Sequence, residues 1–151
     1  MQPHRISLRG YDEARAGYLE ALAQMGPEEA RARGEAEPTP EVAAEYQRRA
    51  NEIRSTLEHA GDWIEIHPEK PFGLVLDVQA ALAAGDFAGR ATAVLRNAIV
   101  RWQYRGEDGG AVSDAWIRGL PGDLGLWLRD EINEHYEEVR RRGPKASASS
   151  T

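Results

Sequence analysis

Residues 87–139 constrain this chain more than any other stretch. They read as helix, tight polar turn, short helix, proline and long helix. Ala91, Val94, Leu95, Ala98, Ile99 and Trp102 recur at helical spacing, and Leu124, Trp127, Leu128, Ile132, Tyr136 and Val139 repeat the pattern. Arg105-Gly106-Glu107-Asp108-Gly109-Gly110 is the turn between them. Three of the four tryptophans, Trp102, Trp116 and Trp127, fall here. Aromatic side chains bury the largest areas, so the stretch is expected to form the core.

The flanks read more weakly. Ile6 and Leu8 suit a short extended entry. Tyr11, Ala14, Tyr18, Leu22 and Met25 then repeat at helical spacing until Gly26-Pro27 breaks the run. Gly34 to Pro40 reads as a linker. Thr39 is placed to cap a helix with Pro40 in its first turn, followed by Val42, Tyr46, Ala50, Ile53 and Leu57 and ended by Gly61. Both helices carry narrow apolar stripes on charged cylinders, and such a hairpin needs packing to be stable. Asp62-Trp63-Ile64-Glu65-Ile66-His67-Pro68 alternates and is rich in β-formers, which predicts a short strand. Phe72, Val75, Leu76, Val78, Gln79 and Leu82 give a further helix before Gly85-Asp86. Ser113 or Asp114 caps the short helix, and Pro121 and Asp123 open the last one. Gly143-Pro144 is expected to stop it.

The expected fold is mainly α. A charged helical hairpin (1–60) precedes a compact domain of five or six helices (61–142), with a minor β element near 63–66 and 103–112 and a disordered tail (143–151). The expected core is Trp63, Leu76, Leu82, Val94, Leu95, Ile99, Trp102, Trp116, Ile117, Leu124, Trp127, Leu128 and Ile132.

Charge and composition exclude several classes. The 151 residues hold 19 Lys and Arg against 25 Asp and Glu, a net charge of -6. Residues 1–61 carry eight basic and eleven acidic groups, 62–139 seven and fourteen, and 140–151 four basic and no acidic ones. An acidic core region argues against nucleic acid as a partner, and Arg140 to Arg142 suit a helix C-terminus. Cysteine is absent, which removes disulfides and thiolate metal sites. No run approaches the about 20 apolar residues of a membrane span, and the first residues lead into no long apolar segment. The expectation is a soluble intracellular protein with no membrane partner.

No catalytic constellation stands out. Glu65 and His67 share a strand face near Glu69, but two or three such residues without converging ligands read as a polar strand edge. Glu131 and His135 are four apart, where a carboxylate di-iron site wants Glu-x-x-His at three. Glu107-Asp108-Gly109 lacks the spaced oxygen ligands of a calcium loop. Ser7, Ser55 and Ser113 sit in no nucleophile motif. The expectation is a protein that is not an enzyme, with no catalytic, cofactor or metal residues.

One set of motifs is informative through its order: Gly61-Asp62-Trp63-Ile64-Glu65-Ile66-His67-Pro68, Ile99-Val100-Arg101-Trp102-Gln103-Tyr104, Glu107-Asp108-Gly109, then Gly119-Leu120-Pro121-Gly122-Asp123-Leu124. Over roughly residues 61 to 136 the chain resembles small tail-region proteins of tailed bacteriophages and prophages, described as tail assembly chaperones or minor tail proteins. The resemblance implies a protein of the bacterial host cytoplasm that coats the apolar tape measure protein until the tail tube polymerises. Its partners would be the tape measure or tail tube protein, with self-association as a further option. A structural virion component, in the tail or the head–tail connector, is the alternative. Residues 1–60 exceed what the resemblance covers and read as an insertion or a partner-binding arm. Tyr11, Tyr18, Leu22, Val42, Tyr46 and Ile53 are the candidate partner-binding residues, on stripes that are either open or closed against the core.

Overall fold

The computed structural model describes residues 2–149, with side chains to residue 143. The described residues form seven helices and four strands: β1 (His4–Ser7), α1 (Arg9–Ala23), α2 (Pro27–Ala32), α3 (Pro40–Thr56), β2 (Trp63–Ile66), α4 (Phe72–Ala83), α5 (Phe87–Ala98), β3 (Ile99–Tyr104), β4 (Glu107–Gly109), α6 (Asp114–Arg118) and α7 (Gly122–Ser149). The fold is mainly α with a small antiparallel sheet of order β1-β2-β3-β4. The chain divides into two compact units, residues 7–61 and the remainder.

In the first unit α1 packs on α3. Ala16 and Ala50 are fully buried beside Leu19, and their small side chains let the two backbones approach closely. Leu22, Tyr46 and Ile53 pack around that centre. Thr39 caps α3 by accepting the Val42 N–H at 3.3 Å, and Pro40 stands in the first turn, as its spacing predicts. The helix stops at Thr56, ahead of the expected Gly61, because Leu57 turns left-handed at φ 45°. Asp12, fully buried, accepts the His59 backbone N–H at 2.9 Å and ties the segment after α3 to the start of α1. Arg54 forms ion pairs with Glu13 and Glu20.

The second unit holds the sheet and four helices. The expected helix through Trp102 ends earlier: Ile99 is extended, and β3 follows α5 without a loop. The β-branched pair Ile99-Val100 and the aromatics Trp102 and Tyr104 favour a strand once β2 is available to pair. The register places Ile64 opposite Trp102 and Trp63 opposite Gln103, with a bulge between Glu65 and Ile66. Arg105 and Gly106, both at positive φ (51° and 80°), make the two-residue turn into β4. Glu107 to Gly109 therefore pair as a strand rather than belonging to one long turn.

The core differs from expectation in a regular way. Val94, Leu95, Ile99, Ile117, Leu124, Leu128 and Ile132 are buried as expected, joined by Ile64, Ile66, Leu74 and Tyr136. The tryptophans are only half-buried. Trp63 alternates with the buried Ile64 and Ile66, so it faces the opposite side of the sheet, where the Arg5 guanidinium stacks on it at 4.0 Å. Trp102 lies on the same side as Ile64, against Trp116 with ring centres 5.0 Å apart, and pairs with Ile64 of β2 and Gly109 of β4. Leu76 and Leu82 are exposed.

The helical run of α7 is interrupted at Gly143 (φ 45°, ψ −150°) and resumes to Ser149. Gly143-Pro144, expected to stop the helix, coincides with that interruption. Ser150 and Thr151 lie outside the described residues.

Candidate protein-binding groove

Helix α4 is apolar on nearly every side. Phe72-Gly73-Leu74-Val75-Leu76-Asp77-Val78-Gln79-Ala80-Ala81-Leu82-Ala83 contains one charge. A helix apolar all round normally lies inside a core, yet Leu74 is the one residue of α4 that is buried. Phe72 is 72% exposed, Leu82 52% and Leu76 49%, and Phe87 at the start of α5 is 78% exposed. These four large apolar side chains sit on one helical hairpin in solvent.

The hairpin is held rigidly. Gly85 turns at φ +67°, and Asp86 caps α5 by accepting the Gly89 N–H at 2.8 Å. Asp77, the lone charge of α4, accepts from Asn97 Nδ2 at 2.9 Å and from Arg96 at 3.2 Å. Those two donors hold its carboxyl below the usual range. Arg96 also reaches Asp114 at 2.9 Å, tying α5 to α6. Gly73 lies against Asn97, where an added Cβ would come within 3.0 Å of Oδ1. α4 and α5 therefore run antiparallel, with the start of one beside the end of the other.

Between α4, α5 and α7 lies an open groove of about 630 Å³. Leu74, Val75, Val78, Phe87 and Val94 supply its apolar lining. Lys70, Arg90, Arg129, Asp130, Asn133 and Gln79 supply its polar groups. Arg129 is paired with Asp130 at 2.9 Å.

The residues singled out from sequence sit elsewhere. Tyr11 is buried at 4% exposure, with its ring against His59. Leu22, Tyr46 and Ile53 close onto the α1–α3 contact, so the two stripes satisfy each other. Tyr18 and Val42 remain exposed. The open apolar surface belongs to α4, which the sequence reading assigns to the core. The signal for it was the scarcity of polar residues on α4, which leaves no side fit for water.

The candidate metal pairs are engaged in other work. Glu65 accepts from Arg5 at 3.1 Å and lies 3.5 Å from Arg101. The His67 carbonyl accepts from the Tyr136 hydroxyl at 2.9 Å. His135 stacks on His4 at 3.9 Å and places Nε2 3.1 Å from the Pro68 carbonyl. Among the described residues no three His, Asp or Glu side chains converge to hold a metal ion, and no helix is long and apolar enough to cross a membrane. No family model, curated protein or solved structure matches the chain.

The motifs behind the resemblance have structural roles. Asp62 receives the Arg105 N–H at 3.1 Å. Gly109 sits under the Trp102 indole, where an added Cβ would approach it to 2.7 Å. Leu124 is fully buried at the start of α7.

Proposed function

We propose that this chain is a non-catalytic assembly protein that holds a helical segment of a partner against the open face of α4. One observation carries the reading: an almost uncharged helix stands in solvent with Phe72, Leu76 and Leu82 uncovered, next to an apolar groove. Scattered surface leucines are ordinary, but a concentration of this kind on one hairpin marks an interaction surface. Fully burying an exposed side chain of this size contributes about 1.5–3 kcal/mol; Leu76 and Leu82, about half exposed, gain roughly half of that, and several anchors together must offset the cost of association. A partner helix laid along α4 meets it over three turns, the usual helix-in-groove arrangement.

The resemblance of residues 61–136 to phage tail assembly chaperones gives the reading its specific form. The partner is then the tape measure or tail tube protein, shielded in the host cytoplasm before the tube forms. A chaperone of that kind needs an apolar receptor and no reaction chemistry.

Co-expression with the proteins encoded beside it, followed by size exclusion with light scattering, tests this. Co-elution with a long helical neighbour, lost in Leu76→Asp and absent from mature particles, is expected. Retention in finished particles supports a structural virion component instead. A neighbour that co-elutes equally well with Leu76→Asp removes the exposed face of α4 around Leu76 from the contact.

A further inference from the structure

The groove has a charge that the rest of the chain does not. Overall the protein carries -6, and residues 62–139 hold twice as many acidic groups as basic ones. The groove reverses this, with Lys70, Arg90 and Arg129 against Asp130. Arg129 and Asp130 neutralise each other at 2.9 Å. Among the described residues Lys70 and Arg90 make no ion pair within 4.0 Å. Glu137 lies within electrostatic reach of Lys70, though its carboxyl is held low first by Arg140 and only lastly by Lys70. Two cations without a close ion pair, beside Val75, Val78 and Phe87, give the groove an apolar lining and an excess of positive charge.

Their placement adds geometry. Lys70 precedes the first turn of α4, while Arg90 is in the first turn of α5, which the antiparallel hairpin sets beside the end of α4. The two cations therefore mark opposite ends of the apolar strip. At 1.5 Å per residue the 12-residue helix α4 beside the strip is about 18 Å long. A small carboxylate would meet one cation and leave most of the strip open. A helix of about three turns covers it and reaches both ends.

We infer that the groove between α4, α5 and α7 receives an amphipathic helix whose apolar stripe is flanked by carboxylates, with one acidic end at Lys70 and the other at Arg90. This rests on the binding reading above and specifies the partner segment. Charge complementarity of this kind selects partners and steers encounter more than it adds raw affinity. A basic helix of equal hydrophobicity meets like charge at both ends and is rejected.

The test uses the full chain and two synthetic peptides of about 18 residues, long enough to exceed three turns. They share one leucine stripe and differ in carrying glutamates or lysines beside it. Fluorescence anisotropy at low and high salt reads binding. The acidic peptide should bind at least tenfold more tightly, with the advantage shrinking as salt rises. The double variant Lys70→Glu, Arg90→Glu should reverse the preference while melting like the parent. Equal binding of the two peptides, or a preference unchanged in the double variant, overturns the inference. So does a stable homodimer that shuts the groove and excludes both peptides. A neighbouring protein that co-elutes equally with parent and double variant overturns the acidic-helix assignment but leaves the binding reading intact. Peptide selectivity without any co-eluting neighbour supports the assignment and removes the tail-assembly role.

Discussion

The Asp62 carboxylate accepts the backbone N–H of Arg105 at 3.1 Å, across 43 positions of sequence. Asp62 opens the segment leading into β2, and Arg105 is the first residue of the β3–β4 turn, held at φ 51°. Two sequence motifs are thus parts of one structure: the buried carboxylate, 7% exposed, holds the turn that the following glycine permits.

Replacing Asp62 with Ala should cost about 1–3 kcal/mol, since it strips the Arg105 N–H of its acceptor. Asp62→Asn keeps a carbonyl oxygen there and should cost less. Thermal melts of the two variants check the order. Equal melting of Asp62→Ala and parent would remove the hydrogen bond from the stability account.

Gly109→Ala should destabilise by about 1–3 kcal/mol, because the new methyl lands on the Trp102 indole. In a Trp102→Ala background the same change should be nearly silent. A double-mutant cycle measures this coupling directly. Purely additive losses would mean that the glycine is needed for its backbone alone. Trp102→Ala by itself should fall below the about 3–5 kcal/mol of a fully buried tryptophan, because the ring is only half-buried.

Leu76→Asp should leave stability within about 0.5 kcal/mol of the parent, as for other exposed positions. Leu128→Ala, at a fully buried position of α7, should cost about 2–5 kcal/mol. Urea titrations of the pair distinguish an open interface from a core. A large loss in Leu76→Asp would show that α4 is covered by other parts of the same chain in solution.

Stability should fall as the solution is acidified from neutrality through the ordinary histidine range. Burial, and then the neighbouring His135, lower the His4 pKa from 6.5. The unfolded chain therefore binds more protons near and below pH 6.5, and that favours unfolding there. His135, Glu131, Glu134, Glu138 and Arg142 share this pocket. The Glu131 carboxyl is raised by burial and by Glu134 and Asp130. Its own contribution is lost as pH rises through the carboxylate range, a lower window than that of His4. His4→Gln should flatten the dependence between neutrality and the carboxylate range. An unchanged melting profile in that variant would place the titration elsewhere.

Much of the architecture was readable from local chemistry. Thr39 and Ser113 cap the helices they precede, and Leu124, Leu128, Ile132 and Tyr136 are buried at the four-residue interval that their spacing describes. The strand at 63–66 followed from alternation. Each of these depends on groups within a turn or two of one another, so the sequence contains the whole interaction.

Three features needed the tertiary structure. Ile99 to Trp102 fits both a helical and an extended pattern, and pairing with Ile64 and Ile66 in β2 decided for the strand. Tyr11, Leu22, Tyr46 and Ile53 resemble an open partner-binding stripe until α1 and α3 are seen to close on one another. Leu76 and Leu82 resemble core residues until α4 is seen to bury Leu74 alone. Hydrophobicity and spacing determined which side chains gain from leaving water. Which of them do so within the chain was decided by the placement of helices and strands far apart in sequence, because burial depends on a neighbour being present to supply the opposing surface.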